Sequence, residues 1–548
     1  MKKLLFALSA SVVLLAQERV DEATSARMRS EELEHSRIMH TLHMLTDRYG
    51  PRVTGTPNHE AAAKWAAAEM TAWGMKNAHL EPWDFARAGW LNESATGRIA
   101  APVRENLKFE VLAWTPSTGG TVDASAIEIV PPQGPTAPAA EEGAGGRGGR
   151  GGGRGAAARL GPTKIEMEQW LAATKDRVRG KIVLVGKAAV IPVNFDPPAK
   201  RRTDEQVRAQ YDGSNGGGRG GRGRGESTPD PARLTPVQAG EQVDAMLLTG
   251  GALLRINDAA RGEGIIVAQA HRAYDIAKTV PTVILRNDDY GRVERLLDDG
   301  DDVKLQFNIV NHIYPEGRTS YNTIAEIPGT DKADEIVILG GHLDSWHGGT
   351  GATDNAIGCS IMMEAARLIE ALHLKPRRTV RVALWSGEEE GLLGSLAYVK
   401  QHFGTAEDPK PEWFKLDAYF NVDSGTGRLR GAGVFGPPEA AAALRGVLGL
   451  FTDWGVGGVS NTNSRATGGT DSTSFNNAGL PGIGMSQDPI EYGSMTHHTN
   501  LDTYERIIPD DVEKAAAIIA AAVWNVANRD QMIPRFTKET IPAPVVPR

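Results

Sequence analysis

The stretch EIVILGGHLDSWHGGTGATDNAIG, residues 335–358, decides the fold. Its apolar run from Ile336 to Leu339 predicts a buried strand, and an amphipathic helix is predicted from Ala356 to Leu372. The same alternation continues with strands at Val380 to Trp385 and Tyr419 to Val422 and with helices at Leu392 to His402 and Asp510 to Asn528. Alternating strands and helices predict an α/β fold in which helices cover both faces of a mixed, largely parallel sheet.

Acidic and imidazole side chains follow three of the predicted strands. His342 and Asp344 come after the first strand, the triplet Glu388 to Glu390 follows the second, and Asp423 follows the third. Ligands of such sheets collect at the carboxyl ends of the strands, so we expect these side chains to lie close together. Carboxylates that crowd together oppose each other's ionisation, and a divalent metal relieves that cost.

Two loops complete a predicted metal site. Asp354 precedes the helix at 356–372, and His498 lies in a loop near the C-terminus. The candidate ligands are two imidazoles and three carboxylates: His342, Asp354, Glu389, Asp423 and His498. This set suits two Zn²⁺ ions if Asp354 bridges them, because each ion then also takes one histidine and one further carboxylate. The single cysteine, Cys359, excludes a cysteine-based zinc site and an intrachain disulfide.

Three neighbouring residues are predicted to assist the reaction. Glu388, next to the ligand Glu389, is the candidate general base for a water shared by the two ions. Asp344 is predicted to hold the imidazole N–H of His342. His497 either supports the developing oxyanion or is a surface residue with no role.

The loop from Gly468 to Ser472 offers one more polar residue for the site. Asp471 is predicted either to bind the amine of a substrate or to cap the helix Thr473 to Asn476. Capping is the commoner role of an aspartate in this position.

Composition and charge exclude several classes of protein. The chain of 548 residues is 41% hydrophobic and 23% charged, which excludes a fully disordered or fibrous protein. Its formal net charge of -8 gives no net electrostatic reason to bind nucleic acid or an anionic membrane. Two Gly/Arg-rich tracts, at 143–155 and 213–225, are predicted to be flexible loop insertions rather than RGG-type nucleic-acid-binding segments.

The N-terminus has the pattern of a secretory signal. Lys2 and Lys3 precede the apolar run Leu4 to Ala16, which is too short to span a bilayer comfortably. The alternative is a buried N-terminal helix. The signal predicts a secreted or periplasmic protein, and no second apolar segment approaches membrane length.

The predicted organisation has a catalytic domain in two parts around a β-rich insert. The insert contains strand-like runs at Lys181 to Val185, Gly264 to Val267 and Pro281 to Leu285. The predicted bounds are a signal peptide at 1–16, the first catalytic part at 21–118, the insert at 119–313, the second catalytic part with all metal ligands at 314–536, and a Pro-rich tail at 537–548.

At these residues the sequence resembles the co-catalytic zinc exopeptidases, the family of bacterial leucyl aminopeptidases and glutamate carboxypeptidases. The motifs that match in order and spacing are GGHLDSW (340–346), GATDN (351–355), GEEEGLLGS (387–395), NVDSG (421–425) and HTNLDT (498–503). The chain looks most similar to the plasma glutamate carboxypeptidase (carboxypeptidase Q) branch. Relatives often have tyrosine where this chain has His497, and that branch has histidine there.

The resemblance implies a fold, a set of site residues and an activity. It implies a zinc exopeptidase fold with an inserted protease-associated (PA) type module, and a cis peptide at Asp354–Asn355. It also implies that the five candidate residues are zinc ligands with Asp354 bridging and Glu388 as general base, and that the protein is a homodimer. The implied activity is that of an aminopeptidase or dipeptidase.

The predicted function is therefore a secreted dizinc exopeptidase that hydrolyses short peptides or dipeptides with a metal-bridging hydroxide. Two alternatives stay open. An N-acyl amino-acid hydrolase or a glutaminyl cyclase can use the same metal site, and a receptor-like homologue can keep the fold without catalysis.

Overall fold

The structure is a computed structural model that describes residues 20–135, 160–195, 200–211 and 230–544. The predicted signal peptide, both Gly/Arg-rich tracts and the end of the Pro-rich tail lie outside these residues. No helix in the described ranges has both the length and the apolar character that a membrane span requires.

Helices and strands alternate along most of the described chain. The strands are β1 (Lys76–Asp84), β2 (Gly89–Ala101), β3 (Glu105–Asn106), β4 (Phe109–Val111), β5 (Val122–Ile129), β6 (Ile182–Val185), β7 (Leu254–Asp258), β8 (Thr282–Leu285), β9 (Lys304–Tyr314), β10 (Thr319–Ile327), β11 (Lys332–His342), β12 (Arg378–Trp385), β13 (Leu416–Asn421), β14 (Leu429–Phe435), β15 (Gly458–Thr462) and β16 (Gly482–Gln487). The α-helices are α1 (Glu22–His35), α2 (Ile38–His43), α3 (Pro57–Ala72), α4 (Lys164–Thr174), α5 (Asp204–Tyr211), α6 (Pro236–Gly250), α7 (Asn287–Asp298), α8 (Ile357–Ala371), α9 (Leu393–His402), α10 (Pro438–Leu448), α11 (Ser472–Asn477) and α12 (Pro509–Asn528).

The first sheet is mixed and carries the predicted site at one edge. Its strand order is β1-β10-β12-β11-β13-β16-β14-β15. The strands β12, β11, β13 and β16 run parallel to one another, while β10 and β14 join them antiparallel. The predicted mixed α/β architecture is confirmed.

Helices pack on both faces of this sheet because its central strands are apolar on both sides. Val337 and Leu339 of β11 belong to a core that includes α8 and α12. Ile338, which points to the opposite face, packs with Tyr398 of α9 and Phe475 of α11. This burial on both faces explains why the strand reads as a continuous apolar run rather than an alternating one.

The second sheet is built from strands between Gly89 and Tyr314, a range that includes the predicted insert. Its order is β3-β2-β9-β5-β6-β7-β8-β4, and only β5, β6, β7 and β8 run parallel within it. The insert is predicted to start at residue 119, and β2, which begins at Gly89, lies before that position and pairs along its length with β9. The predicted strand Gly264 to Val267 is wrong, because this segment makes only an isolated bridge from Val267 to Thr499.

Two carboxyl groups are buried together where α1 packs against α8. Glu32 and Glu364 are both 0% exposed. Ser36 Oγ donates to Oε1 of Glu32 at 2.7 Å, and the Arg37 N–H and Arg367 Nε–H donate to Oε1 of Glu364 at 3.1 and 2.8 Å. Burial, followed by repulsion from Glu364, raises the pKa of Glu32 to about 9.

Glu32→Gln is therefore expected to stabilise the protein more at high pH than at low pH. A carboxyl group whose pKa rises on folding from 4.5 to about 9 costs stability progressively as pH increases between those values, because the unfolded chain releases its proton first. Glutamine is neutral throughout and removes that cost. We expect a gain on the order of 1–3 kcal/mol at pH 8 and little at pH 4.5, measured by thermal unfolding. The exposed neighbour Glu34, changed to glutamine, is the control, and an equal gain at both pH values would contradict the assignment.

Candidate metal centre

His342 reaches the site from the carboxyl end of β11. In the register of the sheet, His342 lies opposite Trp385, the last residue of β12. A side chain at Gly340 would place its Cβ 1.9 Å from the carbonyl oxygen of Ala383, so only glycine permits this approach of the two strands. The two strands therefore end at the same edge, and the residues that follow them meet there.

A kinked turn before α8 presents Asp354 to His342. The peptide bond between Asp354 and Asn355 is cis, as the resemblance implied. The carboxylate of Asp502 accepts the N–H groups of Thr353 and Asp354 at 2.6 and 3.2 Å, and Asn355 Nδ2 donates to the Val422 carbonyl at 2.8 Å. These bonds fix the backbone on both sides of the Asp354 carboxylate.

The structure brings all five candidate ligands together, with Asp354 in the middle. His342 Nε2 lies 3.2 Å from Oδ1 of Asp354 and 3.6 Å from Oδ1 of Asp423. On the other side, His498 Nε2 lies 3.2 Å from Oδ2 of Asp354 and 2.9 Å from Oε2 of Glu389. Each oxygen of Asp354 thus faces a different histidine, and each histidine has a second carboxylate beside it.

The predicted assisting residues also lie at this edge, but Asp344 acts differently from the prediction. The Nδ1 of His342 is 3.0 Å from the backbone carbonyl of Asp344 and 3.7 Å from its carboxylate. That carboxylate instead accepts the N–H groups of Glu388 and Glu389 at 3.3 and 3.2 Å and the hydroxyl of Thr54 at 3.1 Å. The two backbone donors compete successfully for the carboxylate, so Asp344 orients the segment that carries both glutamates.

His497 and Asp471 have different surroundings. His497 stacks on His498 with ring centroids 3.6 Å apart, and its Nε2 is 3.7 Å from Oδ2 of Asp354. Asp471 is 0% exposed and makes no capping hydrogen bond to α11, so the capping interpretation is wrong. Burial raises the pKa of Asp471.

Sequence reasoning missed three polar residues that contact the site. Asp502 holds the turn of Asp354, Tyr492 donates its hydroxyl hydrogen bond to Oδ1 of Asp423 at 3.2 Å, and Gln269 Nε2 lies 2.9 Å from Nδ1 of His498. Asp502 belongs to the motif HTNLDT, so that motif could have identified it as a site residue. Neither Tyr492 nor Gln269 belongs to a motif that points to metal chemistry.

The electrostatics of this cluster fit a bound cation. Burial, and then the charge of Asp354, raises the pKa of Glu389 well above its usual range. Burial also raises the pKa of Glu388. The charge of His342 opposes this rise, and the charge of Asp423 adds to it. Nε2 of His342 and Oδ2 of Asp354 are buried and make no hydrogen bond within the described part of the chain. A histidine nitrogen and a carboxylate oxygen that are buried without a hydrogen bond are typical metal ligands, and both kinds of atom suit zinc.

Comparison with known proteins agrees with this geometry. The profile of peptidase family M28 matches residues 322–523. Over this range the chain is similar to peptidase family M28. Carboxypeptidase Q of Rattus norvegicus is 32% identical over 256 residues, which are 47% of this chain and 52% of the relative. Leupeptin-inactivating enzyme 1 of Streptomyces exfoliatus is 26% identical over 227 residues, 38% of this chain and 49% of the relative. The chain thus spans about half the length of the curated relatives it matches.

Solved structures of peptidases show the same fold over nearly the whole chain. The crystal structure of a peptidase M28 precursor from Shewanella amazonensis SB2B covers 94% of this chain and 98% of its own, with a TM-score of 0.62 and 22% identity. The structure of a zinc aminopeptidase from Bacillus subtilis covers 91% of this chain and 97% of the aminopeptidase chain, with a TM-score of 0.53 and 17% identity. All five candidate ligands lie within residues 322–523, which match the M28 model. The predicted insert at 119–313 lies before this range, and its identification as a PA type module stays a prediction.

Proposed function

We propose that this protein is a dizinc exopeptidase that hydrolyses dipeptides or short peptides. The observation that supports the proposal most strongly is the position of Asp354, whose two oxygens each lie 3.2 Å from a histidine Nε2. A carboxylate that lies between two histidine nitrogens is an arrangement that can hold a pair of zinc ions. The M28 relatives are named as carboxypeptidases and aminopeptidases, which supports action at a chain end.

The ligands divide into two sets around Asp354. In our proposal, His342 and Asp423 hold one ion, and His498 and Glu389 hold the other. Bound zinc lowers the pKa of a water molecule toward about 7 and polarises the carbonyl of the peptide bond. Each set has a histidine, a carboxylate and one oxygen of Asp354, so each ion would have a position left for water or substrate.

Glu388 is the residue that moves the proton in this proposal. It is the third residue after the end of β12 and is next to Glu389, and its backbone N–H donates to the carboxylate of Asp344. Its carboxylate would take the proton of the attacking water and deliver it to the departing amine. Burial raises the pKa of Glu388, and a carboxylate with a raised pKa is better able to accept a proton and then to return it.

His497 is proposed to stabilise the oxyanion of the tetrahedral intermediate. Its stacking on His498 keeps the ring beside Asp354 and leaves its side chain 34% exposed, so a substrate carbonyl can approach it. A hydrogen-bond donor at this position stabilises negative charge as it develops on the carbonyl oxygen.

A panel of related peptides tests the proposal. Free dipeptides are expected to be cleaved with release of both amino acids, and blocking the N-terminus or amidating the C-terminus should identify which chain end is recognised. Amino-acid release is measured by chromatography on zinc-loaded enzyme. Processing of N-acyl or glutaminyl substrates without cleavage of any free peptide would instead favour an N-acyl amino-acid hydrolase or a glutaminyl cyclase. A protein that binds no zinc and cleaves none of the panel would favour a receptor-like homologue.

A further inference from the structure

A segment of the insert, residues 264–271, lies directly against the loop that carries His498. Val267 makes an antiparallel bridge to Thr499, and the Asn500 N–H donates to the Ile266 carbonyl at 3.1 Å. The side chain of Asn500 accepts the Ile266 N–H at 2.8 Å and donates to the Gly264 carbonyl at 3.2 Å. The insert therefore holds the loop that follows His498 by both backbone and side-chain hydrogen bonds.

The same segment is anchored to the insert on its other side. The Ala113 N–H donates to the carbonyl of Gln269 at 3.0 Å, and the His271 N–H donates to the carbonyl of Ala113 at 2.8 Å. The side chain of His271 pairs with buried Asp244 at 3.1 Å. Gln269 is thus attached to a fixed backbone and presents its amide to His498.

His498 needs such support because its backbone is unfavourable. Its φ is 61°, in the left-handed region that residues other than glycine rarely adopt. Its ring nitrogens also have different partners: Nε2 faces Asp354 and Glu389, and Nδ1 lies 2.9 Å from the amide of Gln269. By contrast, Nδ1 of His342 is satisfied by the carbonyl of Asp344, within the catalytic domain.

We infer that Gln269 of the insert is a positioning residue: it contacts Nδ1 of His498 and so fixes the ring for zinc binding through Nε2. This inference rests on the proposed zinc site. A histidine that binds metal through Nε2 carries its proton on Nδ1 and needs an acceptor there. The amide of Gln269 offers its Oε1 after a half-turn about its last side-chain bond, which exchanges the oxygen and nitrogen positions. The insert thereby contributes to the half of the site formed by His498 and Glu389, and the half formed by His342 and Asp423 is independent of it.

Zinc release from the zinc-loaded full chain into a chromogenic chelator tests this inference. In Gln269→Leu, one of two zinc ions is expected to bind about 10–100-fold more weakly, with the other unchanged. Gln269→Glu keeps an acceptor at Nδ1 and is expected to retain both ions as tightly as the wild type does. Gln306→Leu, the same change on β9 of the insert, is the matched control and should release zinc as the wild type does.

Several results would overturn the inference. Unchanged affinity for both ions in Gln269→Leu would do so, and so would equal weakening by Gln269→Leu and Gln269→Glu, because the acceptor would then be irrelevant. If the leucine variant does not fold, Gln269→Ala provides the same comparison with the glutamate variant. A wild-type protein that binds no zinc would contradict the proposed function itself, whereas two tight ions in every variant would contradict only the role of Gln269.

Discussion

Glu388→Ala is expected to bind zinc as the wild type does and to hydrolyse dipeptides about 10²–10⁴-fold more slowly. In the proposed mechanism Glu388 transfers a proton but does not bind metal. The structure makes this a demanding test, because atoms of Glu388, His342 and Asp423 all lie within 4.8 Å of one another, which is close enough for Glu388 to be a ligand. Zinc content and kcat, measured on the same preparation, separate the two roles.

Two further variants make the result specific. Glu388→Gln keeps the size of the side chain and its hydrogen-bonding capacity but removes the base, so it should lose activity to a similar extent. Glu439→Ala removes an exposed glutamate of α10 and should have wild-type activity. Undiminished turnover in Glu388→Ala would remove this residue from the mechanism, and loss of one zinc ion would reassign it as a ligand.

The central part of the fold could be predicted because its sequence signals are local. The apolar run at 336–339 lies within β11, and the predicted helix at 356–372 differs from α8 by one residue at each end. The parallel strands then bring the residues that follow them to one edge. For this reason His342, Glu389 and Asp423 meet in space although they are distant in the chain.

The pairing of β2 with β9 could not be predicted because the two strands are distant in the chain. β2 reads GWLNESATGRIAA, in which Trp90, Leu91 and Ile99 are the only large apolar residues, and its partner β9 begins at Lys304. No local pattern reveals that pairing. The segment at 264–267 is apolar like a strand, but its hydrogen bonds go to the loop after His498 rather than to a neighbouring strand.

Some side-chain partners within the site also could not be predicted. These are the side chains that bond to a backbone group where the sequence indicated another side chain. Asp344 was expected to bind the imidazole of His342, yet its carboxylate accepts two backbone N–H groups of the Glu388–Glu389 segment. The orientation of those groups is set by the turn after β12. Gln269 was missed for a related reason, since its contact with His498 exists only through the docking of the insert.

Asp354→Ala is expected to remove both zinc ions and to reduce peptide hydrolysis to background. Each oxygen of Asp354 serves a different half of the site, so its loss leaves each ion with one histidine and one carboxylate. Two ligands do not hold zinc tightly in a protein, where structural and catalytic sites use three or four. Asp334→Ala, at an exposed position that precedes the apolar part of β11, is the control and should bind two ions.

Anomalous scattering at the zinc edge, from crystals of the wild type and of Asp354→Ala, tests the central claim most directly. The wild type is expected to show two peaks, one beside His342 and Asp423 and the other beside His498 and Glu389, with Asp354 between them. The Asp354→Ala crystals are expected to show neither peak. A wild-type map with no zinc peak among these side chains, or with peaks that persist in Asp354→Ala, would contradict the account.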